Sequence, residues 1–375
     1  MKIPILKIPF DQQDADDICG ELKTMLLGGQ LAMGAHTREF EKQFAAFCSC
    51  RHAVACTNGT VALEMICRAV GVEGGSVAVP ALTFMATALA PISAGARIIL
   101  VDCDPLYFQM DPVDLAKKIR PDTRAVIAVH LGGFISPEIR AIQDIAESVG
   151  AVLIEDAAHA HGAEIDGCRA GSLGLAGAFS FYPTKVLTTA EGGMISCSDE
   201  RLNEKLLQIR QHGQQNPGSN QHQEFGLNYR PSEIHSLLGL AMMKKAGWIL
   251  AQRRQAASVY DELLKGSRLS PVLSPAGQKP AYYKYMALLP EGVDRDKVKG
   301  RLKEEHGISL TGEVYSQSLN NQLYFKNFPD KLASDLVPLP VSEFVAAHQI
   351  CLPLYPGLSK PEQIYVAEKL MKALD

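Results

Sequence analysis

Across residues 1–245 short apolar runs alternate with longer amphipathic stretches. The apolar runs predict strands at 76–79, 97–101, 125–130, 151–155, 177–181 and 194–197. The stretches between them predict helices at 60–70, 84–94, 112–119 and 137–149. Short strands separated by helices of this length make βαβ units, so the predicted fold class is α/β with a mostly parallel sheet between helices. Helix 137–149 has explicit punctuation: Ser136 as N-cap, Pro137 in the first turn and Gly150 beyond its end. Residues 202–245 read as mainly helical around a polar, aperiodic loop at 211–223. Loops of that length inside a compact domain are usually functional or mobile. A long helix at 248–265 then crosses to a second body, where 281–290 and helices at 295–305 and 360–373 predict a smaller α+β layer. The expected domains are therefore a large one, 1–245, and a small one, 246–375.

Composition narrows this further. Of 375 residues 47% are hydrophobic and 21% charged, with 37 Lys+Arg against 41 Asp+Glu, a formal net charge of −4. That composition is too apolar for disorder, and it lacks the basic excess of a nucleic-acid binder. No window reaches the roughly 20 apolar residues of a membrane span. The opening MKIPILKIPF is too short and too interrupted by proline for a signal peptide. The nine cysteines are scattered without CxxC spacing, and Cys48, Cys50, His52 and Cys56 read as buried thiols and a neighbour, not as metal ligands. A reduced, cytoplasmic protein with no metal, membrane or nucleic-acid partner is the expectation.

Four segments carry candidate chemistry. In AVLIEDAAHAHGA (151–163) Asp156 stands past the carboxyl end of a buried strand, the edge at which open α/β sheets bind ligands. By itself it is equally a cap or an ion-pair partner. Set against a cationic heterocycle it becomes a counter-ion. In AFSFYPTKVLTTAEGG (178–193) Lys185 falls between two core strands, where restricted hydration turns an amine into a nucleophile toward carbonyls. Ser180 offers a hydroxyl five residues earlier. In CTNGTVALE (56–64) Gly59 and Thr60 open a helix whose N-terminus can bind phosphate, although Asn-Gly-Thr is also an ordinary cap. In PALTFMATA (80–88) Phe84 follows a strand and is either core or a platform for a ring. Aldehyde, pyridinium, phosphate and ring face together describe pyridoxal 5′-phosphate, whose electron-sink chemistry needs a lysine and an acidic partner for the ring nitrogen.

The chain resembles the DegT/DnrJ/EryC1/StrS family of pyridoxal-phosphate-dependent sugar aminotransferases, which have the fold type I architecture. The likeness runs from GGQLAMGAHTREFEKQFA (28–45) through the segments above, VDCDP (101–105) and FGLNYRPSE (225–233) to LPLYPGL (352–358). It implies Lys185 as the cofactor-binding lysine, Asp156 as the nitrogen partner and His159 near the ring oxygen. It further implies Phe84 stacked on the ring, with Gly59, Thr60 and Ser180 on the phosphate. Asn228 matches an asparagine that reaches the neighbouring subunit's phosphate, so a homodimer with shared active sites is implied. The implied reaction moves an amino group from an amino acid, L-glutamate, to a keto sugar carried on a nucleotide. An unactivated keto sugar or keto-cyclitol is the alternative, or a non-catalytic regulator that binds the cofactor. Lys185 argues against elimination, because members that dehydrate sugars typically lack it.

Two departures stand out. Residues 315–322, YSQSLNNQ, lack the proline and histidine common in the family's substrate loop, which leaves Tyr315 as the substrate-contact candidate. Ala190 replaces a common glycine, with no consequence expected at the reacting atoms.

Overall fold

A computed structural model describes residues 2–216, 219–310 and 314–374. Residues 217 and 218 of the polar stretch at 211–223 lie outside them. The chain begins with α1 (Gln12–Gly28) and α2 (Ala35–Cys48), then alternates β1 (His52–Cys56), α3 (Gly59–Val70), β2 (Ser76–Pro80), α4 (Ala86–Ser93) and β3 (Arg97–Val101). Next come α5 (Pro112–Lys118), β4 (Thr123–Val129), α6 (Ile139–Glu147) and β5 (Val152–Asp156). Two short strands, β6 (Glu164–Ile165) and β7 (Cys168–Arg169), precede β8 (Ala176–Ser180), β9 (Gly193–Cys197), α7 (Glu200–Arg210) and α8 (Glu233–Leu263). The rest comprises β10 (Ser270–Pro271), β11 (Gln278–Lys279), β12 (Tyr285–Leu288), α9 (Arg295–His306), α10 (Leu323–Asn327), α11 (Pro340–His348), β13 (Gln349–Leu352) and α12 (Lys360–Ala373).

Seven strands form the main sheet in the order β1-β9-β8-β5-β4-β2-β3. The pairs from β3 to β8 are parallel, whereas β9 runs antiparallel to both β8 and β1. Parallel strands are covered on both faces, and the residues follow: β2 is buried along its whole length. One face packs Phe44, Phe179, Phe181, Ile142 and Leu250, and the other packs Val54, Met65, Ile66 and Ile195. A second sheet, β10-β12-β13, carries its own core around Tyr260, Tyr285 and Tyr355. Side-chain caps start most helices. Asn58 Oδ1 accepts from the Val61 N–H at 3.0 Å, and Ser359 and Glu362 make a reciprocal capping box on α12.

The predicted strands and helices of the main sheet are present. Four differences have local causes. Strand β1 was not anticipated, because His52–Cys56 is an edge strand that reaches the sheet only by pairing with β9. Helix α6 is shorter than 137–149: Ser136 caps from outside, its Oγ accepting from the Glu138 N–H at 3.2 Å, and Glu138 is the N-cap. The break expected between the helices ending at 245 and starting at 248 is absent. Gly247 sits in open space, and α8 runs through unbroken. Ala190 has φ +67°, the left-handed conformation that glycine adopts freely, so the missing glycine has a backbone consequence.

Candidate active site

The parallel strands β2, β4, β5 and β8 end along one edge of the sheet, and this edge floors a cavity of about 640 Å³. Eight of the nine residues singled out in the sequence, namely Gly59, Thr60, Phe84, Asp156, His159, Ser180, Lys185 and Tyr315, line it. Asn228 does not. It is exposed beyond α7, where it forms a bridge with Gln211.

Asp156 closes β5 and is 7% exposed. Its Oδ2 accepts from the Thr87 hydroxyl at 2.8 Å and its Oδ1 from the Ala158 N–H at 3.2 Å. Burial pushes its carboxyl above the usual range, while these two donors and the charges on Lys185 and His130 pull it back. Lys185 stands in the turn between β8 and β9, where its N–H donates to the Tyr182 carbonyl at 2.9 Å. Loss of hydration lowers its ammonium to about 8; the Asp156 carboxylate opposes that shift and Lys284 adds to it. Its Nζ lies 4.9 Å from the centre of the Tyr283 ring, an attraction open to the cationic form.

A ladder of rings crosses the cavity. His159 stacks on Tyr283 at 4.1 Å and on Tyr315 at 6.2 Å, and Tyr315 stacks on Phe84 at 6.1 Å. Phe84 is 59% exposed, unusual for phenylalanine and consistent with a platform. Burial, with Lys185, Lys284 and His161 nearby, drives His159 well below the ordinary histidine range, so it is neutral. Among the described residues its buried Nδ1 has no hydrogen-bond partner.

At the other end α3 begins against β8. A Cβ added to Gly59 would lie 2.8 Å from the Ser180 Cβ, so glycine is what lets the helix start meet the strand end. The first N–H groups of α3 precede the helix's own hydrogen-bond ladder and point outward with its positive end, flanked by the Thr60 and Ser180 hydroxyls.

Several residues at the site escaped the sequence reading. Thr87 is buried behind the cavity wall, four residues after Thr83 in the motif that gave Phe84, and it reaches the site only through Asp156. Tyr283 and Lys284 come from Tyr-Tyr-Lys-Tyr at the start of β12, where nothing separates a site tyrosine from its two core neighbours. The thiols at 48, 50 and 56 are free; burial raises all three and pushes Cys56 to about 12.

The family model for DegT/DnrJ/EryC1/StrS aminotransferases matches residues 12–371. The chain belongs to this family. It is 33% identical over 377 residues to a pleiotropic regulatory protein of Geobacillus stearothermophilus, covering 99% of this chain and 98% of that one. To the GDP-perosamine synthase of Caulobacter vibrioides it is 32% identical over 349 residues, 92% and 90% of the two chains. Among solved structures, S. venezuelae DesV in complex with a ketimine intermediate superposes with a TM-score of 0.90 at 27% identity, over 100% of this chain and 99% of that one. The protein is an aminotransferase with the fold type I architecture, of a family of sugar aminotransferases, and enzymes of this kind depend on pyridoxal phosphate.

The residues present fit that cofactor. Gly59 leaves a cradle that a side chain would fill, His159 Nδ1 is an orphaned buried polar atom, and a nucleophilic amine and a buried carboxylate share one cavity.

Proposed function

We propose that this aminotransferase moves an amino group from L-glutamate to the keto group of a nucleotide-linked keto-deoxy sugar, using pyridoxal 5′-phosphate held by the cavity described above. The observation that carries the reading is Lys185 with an ammonium lowered to about 8, in the same cavity as the buried carboxylate of Asp156. Similarity to a GDP-perosamine synthase supports a sugar carried on a nucleotide. Pyridoxal phosphate, when bound, supplies a ring that withdraws the negative charge developing at the donor's Cα.

In this reading each residue has one task. The Gly59 and Thr60 N–H groups at the start of α3, with the hydroxyls of Thr60 and Ser180, would hold the phosphate. Phe84 would offer its exposed face to the ring, and neutral His159 would stand near the ring oxygen. Asp156 keeps a proton on the ring nitrogen by staying anionic beside it. Lys185, as a neutral amine, is the residue that would hold the aldehyde. Its Nζ would take a proton from the donor's Cα and return it two bonds away, on the far side of the nitrogen, as base and then acid. Tyr315 contacts the sugar. Residues 1–245 bind the cofactor and 246–375 supply the opposite wall. Asn228 serves the phosphate of a second subunit in a homodimer.

The test begins with purified protein saturated with pyridoxal phosphate. It should be yellow, lose that colour with L-glutamate and release one equivalent of 2-oxoglutarate. Nucleotide-linked keto sugars should then restore the colour and yield the amino sugar by mass spectrometry, while a free keto-cyclitol should not. A protein that stays colourless in excess cofactor would overturn the reading at its root. Turnover of the cyclitol alone would move the substrate class.

A further inference from the structure

We infer that Thr83 and Thr87 are positioning residues that hold Asp156 as an acceptor-only carboxylate through a directed chain of hydroxyls, from Thr83 to Thr87 to Asp156. The inference rests on reading Asp156 as the partner of the cofactor's ring nitrogen. Thr87 is 0% and Thr83 2% exposed, so neither hydroxyl can use water in place of a protein partner. The Thr87 hydroxyl lies 2.8 Å from Asp156 Oδ2, and Thr83 Oγ1 lies 2.8 Å from Thr87 Oγ1.

Counting protons gives the chain its direction. Each threonine has one proton to donate. If Thr87 gives its proton to Asp156, its oxygen is free to accept from Thr83, and both protons are used. If Asp156 were protonated through Oδ2 and donated to Thr87, then Thr87 would donate to Thr83. The Thr83 proton would be left over, since among the described residues Thr87 is the hydrogen-bond partner of its side chain. The Ala158 N–H, a donor only, occupies Oδ1. Every fixed contact of Asp156 therefore favours the anion.

The need for such a device is local. Burial works against the carboxylate, and the charged or titratable groups facing it are few: Lys185 from the β8–β9 turn, His130 beyond β4 and Tyr315 from the segment after α9. Lys185 must be neutral before it can act as a base and gains its charge only on taking the proton, so it cannot be the constant support. The hydroxyl pair carries no charge and keeps its protons throughout.

The test reads the carboxyl itself, in the full chain without added cofactor, by ¹³C NMR of aspartate-labelled protein with the signal assigned through Asp156→Asn. Thr87→Val keeps the side-chain shape and deletes the donor. It should raise the Asp156 midpoint by about one pH unit, the equivalent of one hydrogen bond to a charged group. Thr83→Val should raise it by less, and Thr87→Ser should restore the parent value. A rise below about half a unit in Thr87→Val, with near-ultraviolet dichroism unchanged, overturns the inference. So does a serine variant that behaves like the valine one. If Thr87→Val does not fold, Thr83→Val decides, and an unmoved midpoint there overturns it. In the loaded enzyme Thr87→Val should lower kcat with KM for the donor unchanged. Should Asp156→Asn retain transamination within about tenfold, roughly 1.4 kcal/mol, the nitrogen-partner reading fails. The NMR shift is judged separately from that outcome.

Discussion

A lysine amine attacks an aldehyde only when neutral, and Lys185 becomes neutral near pH 8 because the cavity strips its water. The rate of pyridoxal phosphate capture should therefore climb with pH with a midpoint at about 8 and level off above it, measured by stopped-flow absorbance. A midpoint near 10.5, the value of an ordinary lysine, would place Lys185 in water. Asp156→Asn should still bind the cofactor yet lose transamination by several powers of ten, because asparagine cannot hold the ring nitrogen protonated. Ala190 makes a different kind of prediction. Its φ of +67° costs an L-residue about 1 kcal/mol, so Ala190→Gly should raise stability by up to that amount in urea unfolding, with kcat unchanged. Aspartate, glycine and serine were legible in the sequence because each sits at a strand end or helix start, positions that periodicity marks, and the lysine because it falls in the turn between two core strands. Tyr283, Thr83 and Thr87 were not, since their significance lies in what they touch across the fold.

At the level of elements, helix starts are where distant parts of the chain are joined. The N-terminus of α2 has no side-chain cap of its own. Glu233, from the first turn of α8, provides one by accepting from the N–H groups of Gly34, His36 and Thr37 at 2.6, 2.9 and 3.0 Å. Burial raises the Glu233 carboxyl, but the Thr37 hydroxyl and these three N–H groups outweigh it, and the net shift is downward from 4.5. A depressed folded value means that stability is present above pH 4.5 and lost as the pH falls through the lowered value. Glu233→Gln should lose about 1–3 kcal/mol at neutral pH in urea melts and show a flatter decline in acid than the parent. The alternating pattern along the chain foretold the parallel strands because both of their faces are buried. It missed β1 and the unbroken course of α8, because an edge strand is defined by its neighbour and a helix in open space passes a glycine at small cost.

For the whole molecule the sharpest question is whether two subunits complete each other. Lys185→Ala removes the amine from its own chain, and Asn228→Asp sets a carboxylate against the partner's phosphate in the proposed dimer. Each variant alone should be nearly inactive. Mixed under conditions that exchange subunits, half of the dimers are hybrids, and each hybrid has one intact site. Activity should return to about a quarter of the parent's, and no recovery would confine Asn228 to its own chain. The 31-residue helix α8 has a consequence for the single subunit. It is a rod about 46 Å long. Met242, Ile249 and Leu250 lie in the core beside the main sheet, whereas Ala256, Ala257 and Tyr260 lie in the core of the smaller one. Leu250 and Ala256 are less than two turns apart, so neither core can dissolve without fraying the helix that the other needs. Heating should therefore produce one calorimetric peak, not two, and a chain cut within α8 should lose both halves together.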